Sequence, residues 1–352
     1  MKKHNFSAGP SILPDSVIKQ AAAAVLNFDH MDLSLIEISH RSPQFDAVIK
    51  KAQKLVLELA DLEDKGYEVL FLGGGASLQF IMTVFNLLPK DGKAGYVNTG
   101  TWSNKAIKEA KIMGDIIELA SSKENGFKSI PKGFAIPNDL DYVHLTSNNT
   151  IYGTQFNEFP TVEAPLVVDM SSDMFSKELD YSQFDLIYAG AQKNIGASGT
   201  TLIIVKSDIL GKTGRTIPSM LNYQTHIDKD SLFHTPAVFS IYVSMLYLDW
   251  LKDLGGVAEM EKINRQKAAL LYNEIDNNPN FVGYAAKEDR SIMNVTFNLT
   301  DESKAARFNE LAQEAGIHGF KGHRSVGGYR ASIYNAMPLA SVQVLVDVMK
   351  QL

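Results

Sequence analysis

The chain contains no cysteine. That absence excludes disulfides, thiolate zinc sites, iron–sulfur ligation and a cysteine nucleophile, and it is compatible with a reducing cytosol. A surplus of one charge sign is also missing: 34 basic against 40 acidic residues leave a net charge of −6. Bulk composition therefore gives no reason to expect nucleic acid or an anionic membrane as a partner. The opening MKKHNFSAGPSILP has two lysines, but polar residues, Gly9 and two prolines stand where a secretory signal would need an apolar core. AAAAVLNF at 21–28 falls short of the roughly 20 apolar residues that span a bilayer. Repeats and low-complexity segments are absent as well. A soluble, cytoplasmic protein is expected, with no membrane, nucleic-acid or metal partner.

What is present is a long alternation of apolar segments. The chain has 352 residues, 45% of them hydrophobic, enough for a sizeable core in two domains. A helix is expected from Asp15, as its cap, to about Phe28. Another begins at Ser42-Pro43, an N-cap followed by proline, and carries Val48, Leu55, Val56 and Leu59 at helical spacing. Strand-like runs follow: EVLFL (68–72), AGYVN (94–98), DIIEL (115–119), YVHLT (142–146), LVVDM (166–170), LIYAG (186–190) and TLIIV (201–205), with the helix-like LQFIMTVFNLL ending at PKDG. Several runs are apolar without alternation, as in strands buried on both faces of a mostly parallel sheet covered by helices.

After residue 236 the pattern changes. A long helix is predicted up to Gly255-Gly256, followed by a helix over about 257–277, a strand at 291–299, helices near 303–315 and 338–351, and an arginine-bearing loop. The expected division is an N-terminal segment 1–15 packing with the small domain, a large domain 16–256, and a smaller α+β domain 257–352.

Four constellations bear chemistry. LGGGAS (72–77) lies between a strand and a helix, so it is an anion site or merely a tight turn. The GxxxxGK[ST] loop is absent, and GxGxxG fails because Leu78 takes its last position. Asp169 closes one strand and Lys193 the next, 193 − 169 = 24 residues later. That pair is a partly buried salt bridge, or a Schiff-base lysine with an acid to hold a pyridinium nitrogen. Trp102, in the glycine- and threonine-rich loop TGTWS expected just after a strand, is a core filler or a platform for an aromatic ring. His40-Arg41 and His323-Arg324-Arg330 form two basic clusters in glycine- and serine-rich loops with few acids nearby. They fit surface ion pairs or a small polyanionic substrate.

Taken together, HNFSAGPS, EISHRS, GGGAS, AGAQKNIG, Thr235-Pro236 and GHRSVGGYRASIYNAMP resemble the class V aminotransferases of fold-type I, from about residue 4 to the C-terminus. The resemblance implies a homodimer with shared active sites and one pyridoxal 5'-phosphate per subunit, covalent to Lys193. Lys193 would also move the substrate proton, Asp169 would hold the pyridine nitrogen protonated, and Trp102 would stack on the ring. Thr150 would reach the ring hydroxyl, while Ala76, Ser77 and Gln192 would bind the phosphate with His234 and Thr235 of the partner subunit. The family pattern has asparagine before Thr-Pro where this chain has His234, a larger and titratable donor.

For the substrate, the resemblance implies Arg330 on the α-carboxylate. His323 and Arg324, with His40 and Arg41 from the partner, would take a distal phosphate or carboxylate. The implied reaction is reversible transamination of 3-phosphooxypyruvate with L-glutamate, giving O-phospho-L-serine and 2-oxoglutarate in serine biosynthesis. Some bacterial enzymes of this type also act on the longer 4-phosphooxy-L-threonine in pyridoxine biosynthesis, and the residues leave that open. The alternative is a serine–pyruvate or alanine–glyoxylate aminotransferase, which would not need the second basic cluster. A cysteine desulfurase is excluded by the missing thiol.

Overall fold

A computed structural model describes residues 3–352; Met1 and Lys2, at the head of the expected 1–15 segment, lie outside the described residues. The chain opens with strand β1 (His4–Asn5) and helices α1 (Asp15–Leu26) and α2 (Pro43–Ala60). Ser42 caps α2 as expected, its side chain accepting from the Phe45 amide. In α1 the capping position belongs to Pro14, so Asp15 is the first helical residue instead of the cap. Proline presets the torsion for helix entry, and an acid in the first turn suits the dipole. That helix stops at Leu26, short of Phe28.

Seven strands build the central sheet: β2 (Tyr67–Leu72), β3 (Lys93–Asn98), β4 (Asp115–Ser121), β5 (Tyr142–Thr146), β6 (Leu166–Asp169), β7 (Leu186–Gly190) and β8 (Thr201–Lys206). Their order is β2-β8-β7-β6-β5-β3-β4, and only β8 runs antiparallel to its neighbours. Helices α3 (Gly75–Leu87) and α4 (Thr101–Lys111) cover one face; α1, α2 and α7 (Val238–Asp253) cover the other. Consecutive strand residues divide between the two faces. Val167 and Leu186 join the α3 side, whereas Val168 and Ile187 join the α2 side. Burial on both faces explains the unbroken apolar runs, and each fully buried Leu, Ile or Val contributes about 1.5–3 kcal/mol.

Two short helices, α5 (Ala191–Asn194) and α6 (Tyr223–Ile227), sit within this part of the chain. Helix α8 (Gly256–Asn277) leads into a second, antiparallel sheet of β9 (Phe281–Gly283), β10 (Asn294–Leu299) and β12 (Tyr329–Ser332), in the order β12-β10-β9. Against it lie α9 (Ala305–Glu314), the two-residue β11 (Ile317–His318) and α10 (Leu339–Met349). Phe281, Phe297, Phe308, Phe320 and Tyr329 fill this separate core, into which Phe6 and Ile12 also fold. Strand β1 pairs with β11, tying the N-terminal segment to the C-terminal half.

A polar seam joins the halves. The Asn335 amide donates to Asn194 Oδ1 at 3.0 Å, and Asn264 Nδ2 donates to Ser176 O at 2.8 Å. Among the described residues, no helix is long and apolar enough to cross a membrane.

Candidate active site

The parallel strands present their carboxyl ends to one cavity of about 340 Å³, the usual place for a ligand in an open α/β sheet. Each strand exit contributes to it. After β2 the chain turns at Gly74, whose φ of +89° starts α3 and where a Cβ would meet Leu78 at 2.6 Å; only glycine fits. No side chain caps α3, so the first-turn amides of Gly75, Ala76 and Ser77 remain free for an anion.

After β3, Ser103 Oγ accepts from the Thr99 and Gly100 amides at 3.0 and 2.9 Å, which sets Trp102 in the first turn of α4. Trp102 is therefore helical and not in a loop. Its helix is hard to foresee because the buried stripe of α4 is only Ser103, Ala106, Ile107 and Ala110. Beyond β5 lies Thr150; β6 ends on Asp169, and β7 leads into α5 with Gln192 and Lys193. From the C-terminal half come His323 and Arg330. Arg330 belongs to β12 and pairs with Thr296 of β10, so the predicted loop is in part a strand. Sheet pairing fixes its backbone more firmly than a loop would.

The cavity thus gathers Ala76, Ser77, Trp102, Thr150, Asp169, Gln192, Lys193, His323 and Arg330. Arg324 stands next to His323 without lining the cavity, and His40, Arg41, His234 and Thr235 lie away from it. The last four are not scattered: burial lowers the His40 pKa, and the nearby charges of Arg41 and His234 lower it further. His40 Nε2 and His234 Nδ1 are buried without a partner. Met220 and Phe233, which meet His226 beside His234, are exposed, as is Ile36, close in sequence to His40.

Asp169 and Lys193 are not ion-paired. Lys193 Nζ donates to Thr150 Oγ1 at 2.7 Å and lies 5.7 Å from the Trp102 ring centroid. Burial lowers the Lys193 pKa to about 8, against the opposing pull of Asp169, while Arg330 lowers it further. For Asp169, burial raises the pKa, countered by the hydroxyl and amide of Ser171 and by the charge of Lys193. The Ser171 amide donates to Asp169 Oδ1 at 2.9 Å, and Ser171 Oγ accepts from the Gly190 amide at 3.1 Å. Two opposite charges facing a shared space without touching leave room for a bound group between them.

Arg330 is also unneutralised. Its Nη1 donates to Thr150 O at 3.3 Å, and among the described residues Nε is buried without a partner and no carboxylate acts on it. Burial lowers its pKa, as expected of a cation held out of water. His323 is lowered by burial and then by Arg330, Arg324 and Lys105. Trp102 Nε1 is likewise buried and unpaired.

Sequence reasoning missed several lining residues: Ala8 and Gly9, Thr146, Asn148 and Ile151, and Ser171 with Ser172. A Cβ on Gly9, at φ +145°, would lie 3.3 Å from Lys193 Cγ. The available signals were the polar runs Ser-Asn-Asn-Thr and Ser-Ser directly after apolar strands.

The class-V aminotransferase family profile matches residues 3–345. A phosphoserine aminotransferase of Flavobacterium johnsoniae is 60% identical over 352 residues, covering 100% of this chain and 99% of the relative. One from Parabacteroides distasonis is 57% identical over 353 residues, with 100% and 99% covered. A solved structure described as radiation damage of the Schiff base in phosphoserine aminotransferase superposes at a TM-score of 0.96 and 49% identity, covering 100% of this chain and 99% of the other. With the lysine, acid and indole of the cavity at the strand ends and the whole chain matched, this protein belongs to the class-V aminotransferases.

Proposed function

We propose that the chain catalyses reversible amino transfer between L-glutamate and 3-phosphooxypyruvate, yielding 2-oxoglutarate and O-phospho-L-serine, with pyridoxal 5'-phosphate as cofactor. The observation that carries this is Arg330: a guanidinium with no carboxylate acting on it among the described residues, lining the cavity with Lys193 and His323 and acting with Arg324 on His323. A buried cation of this kind calls for an anionic ligand. The names and Schiff-base description of the relatives point the same way.

The residues present suit the cofactor. The uncapped amides of Gly75, Ala76 and Ser77, with Gln192, suit its phosphate, and the unpaired Asp169 carboxylate suits a ring N–H. When bound, pyridoxal phosphate supplies an aldehyde for covalent attachment and an electron-poor ring that accepts the electron pair left when the substrate Cα–H bond breaks.

With the cofactor bound, Lys193 Nζ would hold its aldehyde carbon at rest and, once displaced by the substrate amine, would take the proton from the substrate Cα and deliver it to that former aldehyde carbon, two atoms along. Its pKa of about 8 suits both tasks near neutrality. Asp169 would keep the proton on the ring nitrogen, Trp102 would cover a ring face, and the Thr150 hydroxyl, which now accepts from Lys193 Nζ, would be available to the ring hydroxyl. Arg330 clamps the α-carboxylate, and His323 and Arg324 meet the distal anion. In a homodimer, His40 and Arg41 of the neighbouring copy complete that anion site, and His234 and Thr235 reach the cofactor phosphate. The unpaired His40 and His234 nitrogens and the exposed Ile36, Met220 and Phe233 support such an interface.

The same proposal divides the chain into segments 1–15, 16–256 and 257–352, supported by the separate core of the C-terminal half with Phe6 and Ile12 in it, while Val257 and Met260 at the start of α8 still pack against the core of the large sheet. Its setting is the cytoplasm. A serine–pyruvate or alanine–glyoxylate specificity would leave His323 and Arg324 without a counter-charge. The test is a coupled assay of glutamate formation from 2-oxoglutarate. O-phospho-L-serine should support turnover and L-serine or L-alanine should not; preference for the unphosphorylated amino acids would overturn the assignment.

A further inference from the structure

Helix α4 carries Trp102 and, three residues on and therefore on the same face, Lys105. Lys105 has an acid one turn further along, Glu109. Exposed lysines commonly pair with such a neighbour, yet no Lys105–Glu109 ion pair forms among the described residues. Instead the exposed ammonium stands 4.6 Å from the ring centroid of Trp102, a residue of the cavity wall, an attraction between cation and ring face that ties it to that wall. It is also one of three positive charges that act on His323, with Arg330 and Arg324, and no acid appears among the groups acting on that imidazole.

We infer that Lys105 is a specificity-determining residue that supplies a same-subunit positive charge to the distal anion of the substrate and favours a phosphate dianion over a single carboxylate. The inference rests on the proposed phosphoserine specificity. The site must accept two distal anions in turn, a phosphate on one substrate and a carboxylate on the other. Both use the same histidine and arginines, and each of these cations already favours the dianion to some degree. An additional mobile charge adds to that preference, because a dianion gains about twice what a monoanion gains from it at equal distance. Lysine suits this better than arginine: a compact charge on a flexible stem follows ligands of different length, whereas a planar fork fixes one geometry.

The experiment compares holoenzyme with Lys105→Met and Lys105→Arg in both half-reactions. Lys105→Met should raise KM for O-phospho-L-serine roughly three- to tenfold, the effect of one partly screened charge. It should change kcat by no more than about twofold and raise the KM for L-glutamate only by the square root of the O-phospho-L-serine factor, about 1.7- to 3-fold. Inhibition by inorganic phosphate should weaken in parallel, Lys105→Arg should restore most of the loss, and high salt should narrow the gap between variant and parent. Equal losses for both substrates, an unchanged KM, or a fall in kcat with altered cofactor absorbance would overturn the inference. A parent enzyme inactive on O-phospho-L-serine would instead overturn the function beneath it.

Discussion

Lys193 Nζ bonds to the Thr150 hydroxyl at 2.7 Å and leaves the Asp169 carboxylate without a cation. A salt bridge between the two would be the simplest use of a lysine and an acid on adjacent strand ends. Its absence keeps the lysine a weakly basic amine and the acid a free acceptor, with the cavity between them.

The lysine should therefore titrate near neutrality. Burial brings its pKa to about 8, and only the neutral amine attacks an aldehyde. For cofactor-free protein, the rate of covalent pyridoxal phosphate capture should rise with pH through about 8 and level off above it. Stopped-flow absorbance across that range checks this, and borohydride trapping followed by mass spectrometry should find no adduct in Lys193→Ala.

Asp169→Asn keeps the shape and an oxygen for the Ser171 amide, so the fold and cofactor binding should survive. What is lost is the negative charge that holds a proton on the ring nitrogen. Turnover should fall about 10²–10³-fold, the usual scale for removing one preorganised electrostatic group, while melting temperature changes little. Steady-state kinetics beside thermal unfolding separates the two.

Arg330→Ala removes a charge-assisted contact to the α-carboxylate, worth about 1.5–3 kcal/mol, or roughly ten- to a hundredfold in KM for every amino-acid substrate. Lys105→Met, in contrast, should act mainly on the phosphorylated substrate. Arg330→Lys should recover little, because an ammonium cannot make the paired contact. Parallel KM series for L-glutamate and O-phospho-L-serine distinguish the two sites.

A second buried lysine gives a stability signature. Lys267 is fully buried and donates to Ile333, Tyr334 and Asn335 carbonyls at 3.0, 2.7 and 3.4 Å, just past the strand bearing Arg330. Burial lowers its pKa from 10.5 to about 7. Between those values the unfolded chain binds more protons than the folded one, so this group makes stability increase as pH rises across the window. Below about 7 its full cost is present. Urea unfolding at about pH 7 and about pH 9.5 should show a smaller stability gain with pH in Lys267→Met than in the parent.

The large sheet was legible in the residues, and the reason is physical. YVHLT and LIYAG appear at their expected bounds because both faces of the sheet are covered, leaving an apolar run cut sharply by polar turns. The helix of Trp102 was hidden because alanines and one isoleucine make a faint stripe. Strand β12 escaped because Tyr-Arg-Ala-Ser is four residues long, and β1 and β11 have two each. Spacing placed Asp169 and Lys193 on neighbouring strand ends but could not tell contact from a gap. Nothing local joins Arg330 to Thr150, 180 residues earlier; that meeting depends on the second sheet docking over the first, and only the family resemblance anticipated it.

The most direct measurement mixes holoenzyme with one amino donor and no acceptor, and follows the cofactor's visible absorbance. O-phospho-L-serine and L-glutamate should each bleach it as Lys193 is displaced and the amino group is taken up, whereas L-serine at the same concentration should leave it unchanged. Bleaching by L-serine or L-alanine as fast as by O-phospho-L-serine would contradict the account.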